Sequence, residues 1–267
     1  MRVLVTNDDG IEAPGLHALA AALDGAGYQV LVAAPDRDHS GYSAALGDVG
    51  GDPHLRIAEA RIPGAEHVPA WSVAGPPALC VLSARLGGFG EAPDIVVSGI
   101  NPGNNTGRAV LHSGTVGAAL TGANLGITGV AVSVAVTPEP RFDTAAAVAV
   151  AALGWAATAP TRTVLNVNVP AVDLAALGGT RWASLAPFGT VRSTLDPSGP
   201  GRLTMTLVET NVELPPDSDT ALVGAGYVAV TCLSGIRQAE WQPVAADVDR
   251  RLAATQRRHR PATGETA

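Results

Sequence analysis

Two adjacent acidic side chains stand at the end of the first apolar run of the sequence. Residues 2–6 are rich in β-branched side chains, which predicts a buried strand. Asn7, Asp8, Asp9 and Gly10 follow directly. Neighbouring carboxylates repel each other unless a cation lies between them or one stays protonated. The pattern therefore fits a metal site, and it fits equally well a solvated turn, since these residue types are common in turns.

Two further polar loops follow predicted strands. Residues 38–41 come after one apolar run and residues 99–101 after another. Because the carboxyl ends of parallel strands meet at one edge of a sheet, we expect the three loops to converge. Taken singly, Ser40 is more typical of a loop hydroxyl and Asn101 of a turn, so the hypothesis depends on their joint placement. The convergence predicts an all-oxygen site, suited to Mg²⁺, Mn²⁺ or Ca²⁺ rather than zinc, with the ligands Asp8, Asp9, Ser40 and Asn101.

A possible anion site precedes a helix rich in small residues. Ser113, Gly114 and Thr115 stand before the helix predicted over 116–125, where hydroxyls and backbone amides can bind an anion or simply cap the helix. A metal ion beside an anion-binding helix start is the arrangement that binding a phosphate ester requires. The chain contains no lysine, which excludes a Walker-type phosphate loop and Schiff-base chemistry.

The order of the predicted elements indicates the fold class. Strands alternate with helices over residues 1–170, which predicts an α/β protein with a parallel sheet covered on both faces. Beyond that point, residues 182–185 and 202–209 are expected to pair as a projecting hairpin. We expect one domain over 1–254, with a core at about 1–170, a hairpin arm at about 185–212, and a return strand and C-terminal helix within 219–254. Residues 255–267 are expected to be a flexible tail.

Composition narrows the class of protein. A formal charge of −7 argues against a protein that coats DNA or RNA, which needs a basic surface. The two cysteines, Cys80 and Cys232, lie in apolar stretches and are expected to be free buried thiols of a reducing compartment. The N-terminal residues lack the pattern of a secretion signal, and the apolar run 145–157 is too short to span a bilayer. We therefore expect a cytoplasmic protein without membrane contact.

Four segments, in order, resemble one known family. They read MRVLVTNDDGIEAPGLHAL, APDRDHSG, PDIVVSGINPGNN and SGTVGAAL, and together they are similar to the SurE family of survival-protein nucleotidases. Residues 219–221 and 226–231 are similar to the closing segment of that family. The resemblance implies a Rossmann-like, three-layer core with a parallel sheet, a projecting β-hairpin and a C-terminal extension.

The resemblance also implies an activity. Members are metal-dependent phosphatases of nucleoside 5′- and 3′-monophosphates, and some also act on short polyphosphate. By this likeness one divalent ion, Mg²⁺ or Mn²⁺ with Ca²⁺ as a substitute in crystals, is held by Asp8, Asp9, Ser40 and Asn101, and the two aspartates are catalytic. The phosphate would contact Asn105, Ser113, Gly114 and Thr115. Members assemble as homodimers or homotetramers that exchange C-terminal elements, and the hairpin near 190–210 is the candidate arm.

Several positions depart from the family's pattern. Arg108 and Ala109 stand where an acidic pair is usual, His112 where tyrosine is usual and Thr121 where glutamate is usual. Leu79 stands where aspartate is usual. None of these is an expected metal ligand, but they border the site, so the substrate or the rate could be changed.

Alternative functions stay open at this point. The chain could be a phosphatase with a shifted substrate, or a relative that binds metal and nucleotide with little turnover. The pairs His39-Ser40 and His112-Ser113 raise a serine hydrolase, although no G-x-S-x-G motif is present. A receiver-like module also has paired acids after its first strand, but such modules depend on a lysine. For a phosphatase, attack by water or by one aspartate is possible, and His112 is either a proton donor or an exposed loop residue.

Overall fold

The computed structural model describes residues 1–47, 54–187, 191–209, 212–236 and 244–258. The chain forms two compact units, Met1–Gly235 and Ile236–Ala267. The strands are β1 (Arg2–Thr6), β2 (Gln29–Pro35), β3 (Ile57–Glu59), β4 (Ala70–Val73), β5 (Ile95–Pro102), β6 (Thr128–Val134), β7 (Val164–Val169), β8 (Thr180–Trp182), β9 (Val191–Gly199), β10 (Arg202–Glu209) and β11 (Val228–Leu233). The helices are α1 (Pro14–Gly25), α2 (Pro77–Arg85), α3 (Gly114–Asn124), α4 (Phe142–Ala156), α5 (Asp219–Gly224) and, in the second unit, α6 (Val244–Arg258).

A mostly parallel sheet forms the centre of the first unit. Its strand order is β3-β4-β2-β1-β5-β6-β7-β11-β8. The six strands from β4 to β7 run parallel to their neighbours, while β3 and β11 pair antiparallel at either side of them. The α/β class expected from alternating strands and helices is confirmed. The order reverses around β1, so the loops after β1, β2 and β5 are neighbours at one edge, where α/β proteins bind ligands.

Alternate residues of each strand bury against helices on opposite faces. In β1, Val3 and Val5 join a core with Leu16 and Leu19 of α1, whereas Leu4 packs with Cys80 of α2 on the other face. A strand buried on both sides favours apolar residues at successive positions, which explains the apolar run at residues 3–5. This double burial fixes the end of β1 rigidly, and the acidic residues begin there.

The hairpin has a different first strand from the one predicted. β10 pairs antiparallel with β9, whereas β8, which ends at Trp182, pairs parallel with β11 in the main sheet. The predicted pairing of 182–185 with 202–209 is therefore wrong. The turn is confined to residues 200–201, with Gly201 at φ +68°, so the preceding Asp-Pro-Ser-Gly stretch continues the strand instead of forming a long loop. Pro197 is tolerated because a two-stranded ribbon has only edge strands.

The two cysteines differ in exposure. Cys80 is buried as expected, but Cys232 is exposed, because it lies in the wall of an open apolar groove beside Trp155 and Trp182. The strand β4 was not foreseen. The expected C-terminal helix continues past residue 254 to Arg258, so residues 255–258 of the predicted tail are helical, and residues 259–267 lie outside the described residues. Across the ranges that the structure describes, every helix is too short or too polar to cross a bilayer.

Candidate metal and phosphate site

Strand register brings the predicted ligands to one edge of the sheet. β1 and β5 are parallel neighbours with Thr6 opposite Ser98, so the chain continues into Asp8 and Asn101 at the same edge. The loop after β2 is tied to this edge because the His39 backbone N–H donates to the Asp8 carbonyl oxygen at 2.7 Å. The convergence of the three loops follows directly from the parallel topology.

Asp8 lies against the start of α3. Its side chain is only 3% exposed, and the Thr115 hydroxyl donates to its Oδ1 at 2.5 Å. Gly114 permits this approach, because a Cβ at that position would stand 2.7 Å from the Asp8 Oδ2. Burial raises the pKa of Asp8, while the hydrogen bond from Thr115 and the backbone amides of Gly114 and Thr115 oppose the rise.

Asp9 carries the least compensated charge in the site. Its Oδ2 is buried and finds no hydrogen-bond partner among the described residues. Burial, followed by the negative charges of Asp8 and Asp38, raises the pKa of Asp9 to about 7. Removing an ionised carboxyl from water without a partner is costly, and a bound cation would offset that cost. The buried, unpaired oxygen of Asp9, which also feels the negative charge of Asp8, therefore fits a bound cation.

Asp38 is a charged neighbour of the site that sequence reasoning did not single out. The Ser40 backbone N–H and hydroxyl donate to its Oδ1 at 2.7 and 2.6 Å, and these bonds lower the pKa of Asp38. Its charge reaches Asp9. The only signal in the sequence was the acidic side chain of Asp38 itself, two positions before Ser40.

Ser40 and Asn101 lie at the same edge but make local hydrogen bonds. The Ser40 hydroxyl donates to Asp38, and the Asn101 Nδ2 donates to the Gly103 carbonyl oxygen at 2.6 Å. The amide bond uses the nitrogen of Asn101 and leaves the oxygen for another partner. Hydroxyl and amide oxygens with two carboxylates make a hard donor set. Within the described ranges, no cluster of three or more His, Cys, Asp or Glu residues could hold a metal.

The four predicted phosphate contacts divide into two groups. Ser113 caps α3, since its Oγ accepts from the Val116 N–H at 3.1 Å, and Gly114 and Thr115 surround Asp8 as described above. Asn105 is separate, buried in the loop between β5 and α3, with its Nδ2 donating to Ser133 Oγ at 2.8 Å. An amide nitrogen carries two N–H groups, so one remains for an anion. That all four contact phosphate stays a prediction.

The serine hydrolase alternative gains no support from the geometry. The Ser40 hydroxyl donates to a carboxylate and Ser113 acts as a cap, so neither shows the serine–histidine hydrogen bond of such enzymes. His39 is buried, and burial followed by the charge of Arg37 lowers its pKa. His112 is exposed, as expected of a loop residue.

Comparison with known proteins identifies the family of this chain. The sequence pattern described as "Survival protein SurE" matches residues 3–189. A "5'/3'-nucleotidase SurE" of Edwardsiella ictaluri is 41% identical over 238 residues, which cover 87% of this chain and 89% of that protein. The chain belongs to the SurE family. A "5'-nucleotidase SurE" of Xanthomonas campestris pv. campestris is 45% identical over 196 residues, covering 72% of this chain and 69% of the relative.

A solved structure of the family has the same fold. The crystal structure of the SurE protein from Aquifex aeolicus superposes with a TM-score of 0.73 at 29% identity, and the alignment covers 96% of this chain and all of the other. This chain therefore has the same α/β fold as the Aquifex aeolicus protein.

Proposed function

We propose that this chain is a metal-dependent 5′/3′-nucleotidase, a phosphomonoesterase that converts nucleoside monophosphates to nucleoside and phosphate. The relatives at 41–45% identity carry nucleotidase names, which supports the reaction class. The observation that carries the metal dependence is the buried, unpartnered Oδ2 of Asp9 beside two further carboxylates. A bound cation would favour the ionised form of such a group near neutral pH.

One divalent ion, Mg²⁺ or Mn²⁺, would be held by Asp8, Asp9, Ser40 and Asn101. When bound, it supplies a Lewis acid for the phosphate and lowers the pKa of a coordinated water. The remaining chemistry depends on protein groups. The amides at the start of α3 and the Asn105 side chain bind and orient the phosphate, and they favour the charge that develops on its oxygens as the ester bond breaks.

The two aspartates are not equivalent. Asp8 is fixed by Thr115 and packs against Gly114, so it serves as a rigid ligand. Asp9 has the freer carboxylate oxygen, and it is the better candidate for taking a proton from the attacking water or for attacking phosphorus itself. Asp9 is therefore the residue in which ligand and catalytic roles overlap.

A phosphate-release assay tests the proposed function. Nucleoside 5′- and 3′-monophosphates are incubated with the full chain in Mg²⁺, in Mn²⁺ and in EDTA. We expect release with either metal and none in EDTA, and we expect Asp8→Asn and Asp9→Asn to lose it. Asp94→Asn is the matched control, because Asp94 lies exposed at the amino end of β5 and accepts from the Arg2 backbone N–H. Full metal-dependent release in both site variants would refute the assignment.

Phosphate release from a second substrate and calorimetric binding of nucleotide together separate the two alternatives. A phosphatase with a shifted substrate would release phosphate from a base-free ester such as ribose 5-phosphate and spare nucleotides. A binding-only relative would show calorimetric binding of nucleotide without release. Both alternatives are worth testing because the exposed Arg108 stands near the site where an acidic residue is usual, and this change could alter the substrate or the rate.

Assembly and location are further proposals. We infer that the chain forms a homodimer or homotetramer in which C-terminal elements are exchanged, and the β9–β10 ribbon, which forms a sheet of its own, is the candidate arm. Light scattering of the full chain and of a variant lacking residues 191–209 tests this. If both contain the same number of chains per particle, the ribbon is not the exchanged arm. A cytoplasmic location remains a prediction from the sequence.

A further inference from the structure

Asn105 is held by buried side chains that lie far from it in sequence. Its backbone N–H donates to the Asn168 Oδ1 at 2.8 Å, and its carbonyl oxygen accepts from the Nδ2 of Asn166 at 2.8 Å and of Asn168 at 3.0 Å. With the side-chain bond to Ser133, both the main chain and the side chain of Asn105 are fixed.

The two asparagines are exceptions within an apolar strand. β7 reads Val-Leu-Asn-Val-Asn-Val, and all six residues are buried. Buried amides cost free energy unless they are hydrogen-bonded, so a sheet that needed only packing would carry apolar residues here. Asn166 and Asn168 face the same side because strand residues alternate, and the hydrogen bonds seen from their side chains go to Asn105.

A third buried group holds the next part of the same loop. Asp219, at the start of α5, is fully buried, and its Oδ2 accepts from the Gly107 backbone N–H at 2.7 Å. Its Oδ1 accepts from the Ala186 N–H at 3.0 Å. The loop between Asn105 and Gly107 is thus tied at both ends to residues 61 to 112 positions away.

We propose that Asn166, Asn168 and Asp219 are positioning residues that fix the Asn105–Gly107 loop in the conformation that receives the phosphate group. The inference rests on the proposed function and goes beyond it, since it assigns roles to residues that need not touch the substrate. Donors held in place before the substrate binds need no reorganisation during the reaction. They therefore lower the activation free energy more than mobile donors would. A loop tied only by its own short bonds would lose that advantage.

Kinetics of Asn166→Ala and Asn168→Ala test the proposal. A misplacement of about 1 Å can cost about 100-fold in rate, so we expect kcat/KM to fall roughly tenfold or more. The inhibition constant of inorganic phosphate should rise in parallel. Because the defect concerns the phosphate, nucleotides and ribose 5-phosphate should be affected by the same factor. Mn²⁺ affinity should change by less than about twofold, since no proposed ligand is altered.

Val167→Ala is the matched control. Val167 lies between the two asparagines, is fully buried, and faces the opposite side of the sheet. It should lower the Tm without changing kcat/KM. If the asparagine variants lose Tm like Val167→Ala and keep kcat/KM within about twofold, the residues are merely structural and the proposal is wrong. Should Asn168→Ala fail to fold, Asn166→Ala, which removes one hydrogen bond, decides the matter.

The outcomes also separate this inference from the proposed function. A wild-type chain without phosphate release would refute the proposed function, and phosphate binding measured calorimetrically on the same variants would still decide the positioning role. An active wild type in which Asn105→Ala leaves kcat/KM unchanged would refute the role of Asn105 and this inference with it. Asp219→Asn, which replaces one of the two accepting oxygens with an amide nitrogen, should give the same kind of defect at smaller size.

Discussion

Replacing Gly114 by alanine perturbs the site through a single methyl group. The added Cβ would stand 2.7 Å from both the Cβ and the Oδ2 of Asp8. Asp8 is a short, buried side chain held by Thr115, so it cannot turn aside as a long surface side chain would. The two groups must separate by about 0.7 Å to reach ordinary van der Waals contact. Either Asp8 or the start of α3 moves by that amount.

Both activity and stability should respond to Gly114→Ala. Overpacking in a buried site costs about 1–3 kcal/mol, which exceeds the gain of up to about 1 kcal/mol from a better helix former. Displacement of a proposed metal ligand by part of an ångström should lower kcat/KM by about 10- to 100-fold. Phosphate release at saturating Mn²⁺ measures the first effect, and thermal unfolding without metal measures the second.

Gly154→Ala provides the control for the same substitution in a helix. Gly154 lies within α4, and a Cβ there meets nothing within 4 Å. This variant should be stabilised by about 0.5–1 kcal/mol and keep full activity. If Gly114→Ala keeps wild-type kcat/KM and stability as well, the close approach of Asp8 to α3 has no functional weight, and our account of the site is wrong.

Other consequences concern charge and exposure. Because the folded pKa of Asp9 is raised from 3.8 to about 7, its protonated form adds stability that is complete below pH 3.8 and is lost as the pH rises through 7. Metal-free Asp9→Asn should therefore gain stability relative to wild type across that range in denaturant titrations, and parallel pH curves would contradict this. Asp38→Asn should lower the pKa of Asp9 in an NMR titration, and an unmoved midpoint would refute their coupling. A thiol reagent should modify exposed Cys232 in the native protein and buried Cys80 only after unfolding; equal rates would count against the fold.

Features governed by local sequence were predictable. Residues 3–5 are apolar because β1 is buried on both faces, and the acidic residues follow directly after the carboxyl end of the strand. Parallel topology, inferred from alternating strands and helices, then placed the loops of Ser40 and Asn101 at the same edge. Each strand and helix could be predicted from a pattern within its own short segment, and their alternation over residues 1–170 then indicated the α/β class and this edge.

Features that depend on distant residues could not be predicted. The bonds from Asn166 to Asn105 and from Asp219 to Gly107 join positions 61 and 112 apart, and no local pattern announces them. The coupling of Asp38 to Asp9 depends on the loop after β2 folding back onto β1. The exposure of Cys232 depends on which element covers its face of β11, and local hydrophobicity does not encode that.

Anomalous diffraction from crystals of the full chain soaked in Mn²⁺ would test the central claim most directly. Our account predicts one Mn²⁺ per chain at the carboxyl edge of β1 and β5, contacted by oxygens of Asp8, Asp9, Ser40 and Asn101. A fully occupied ion elsewhere, with Asp8 and Asp9 facing only water, would contradict it.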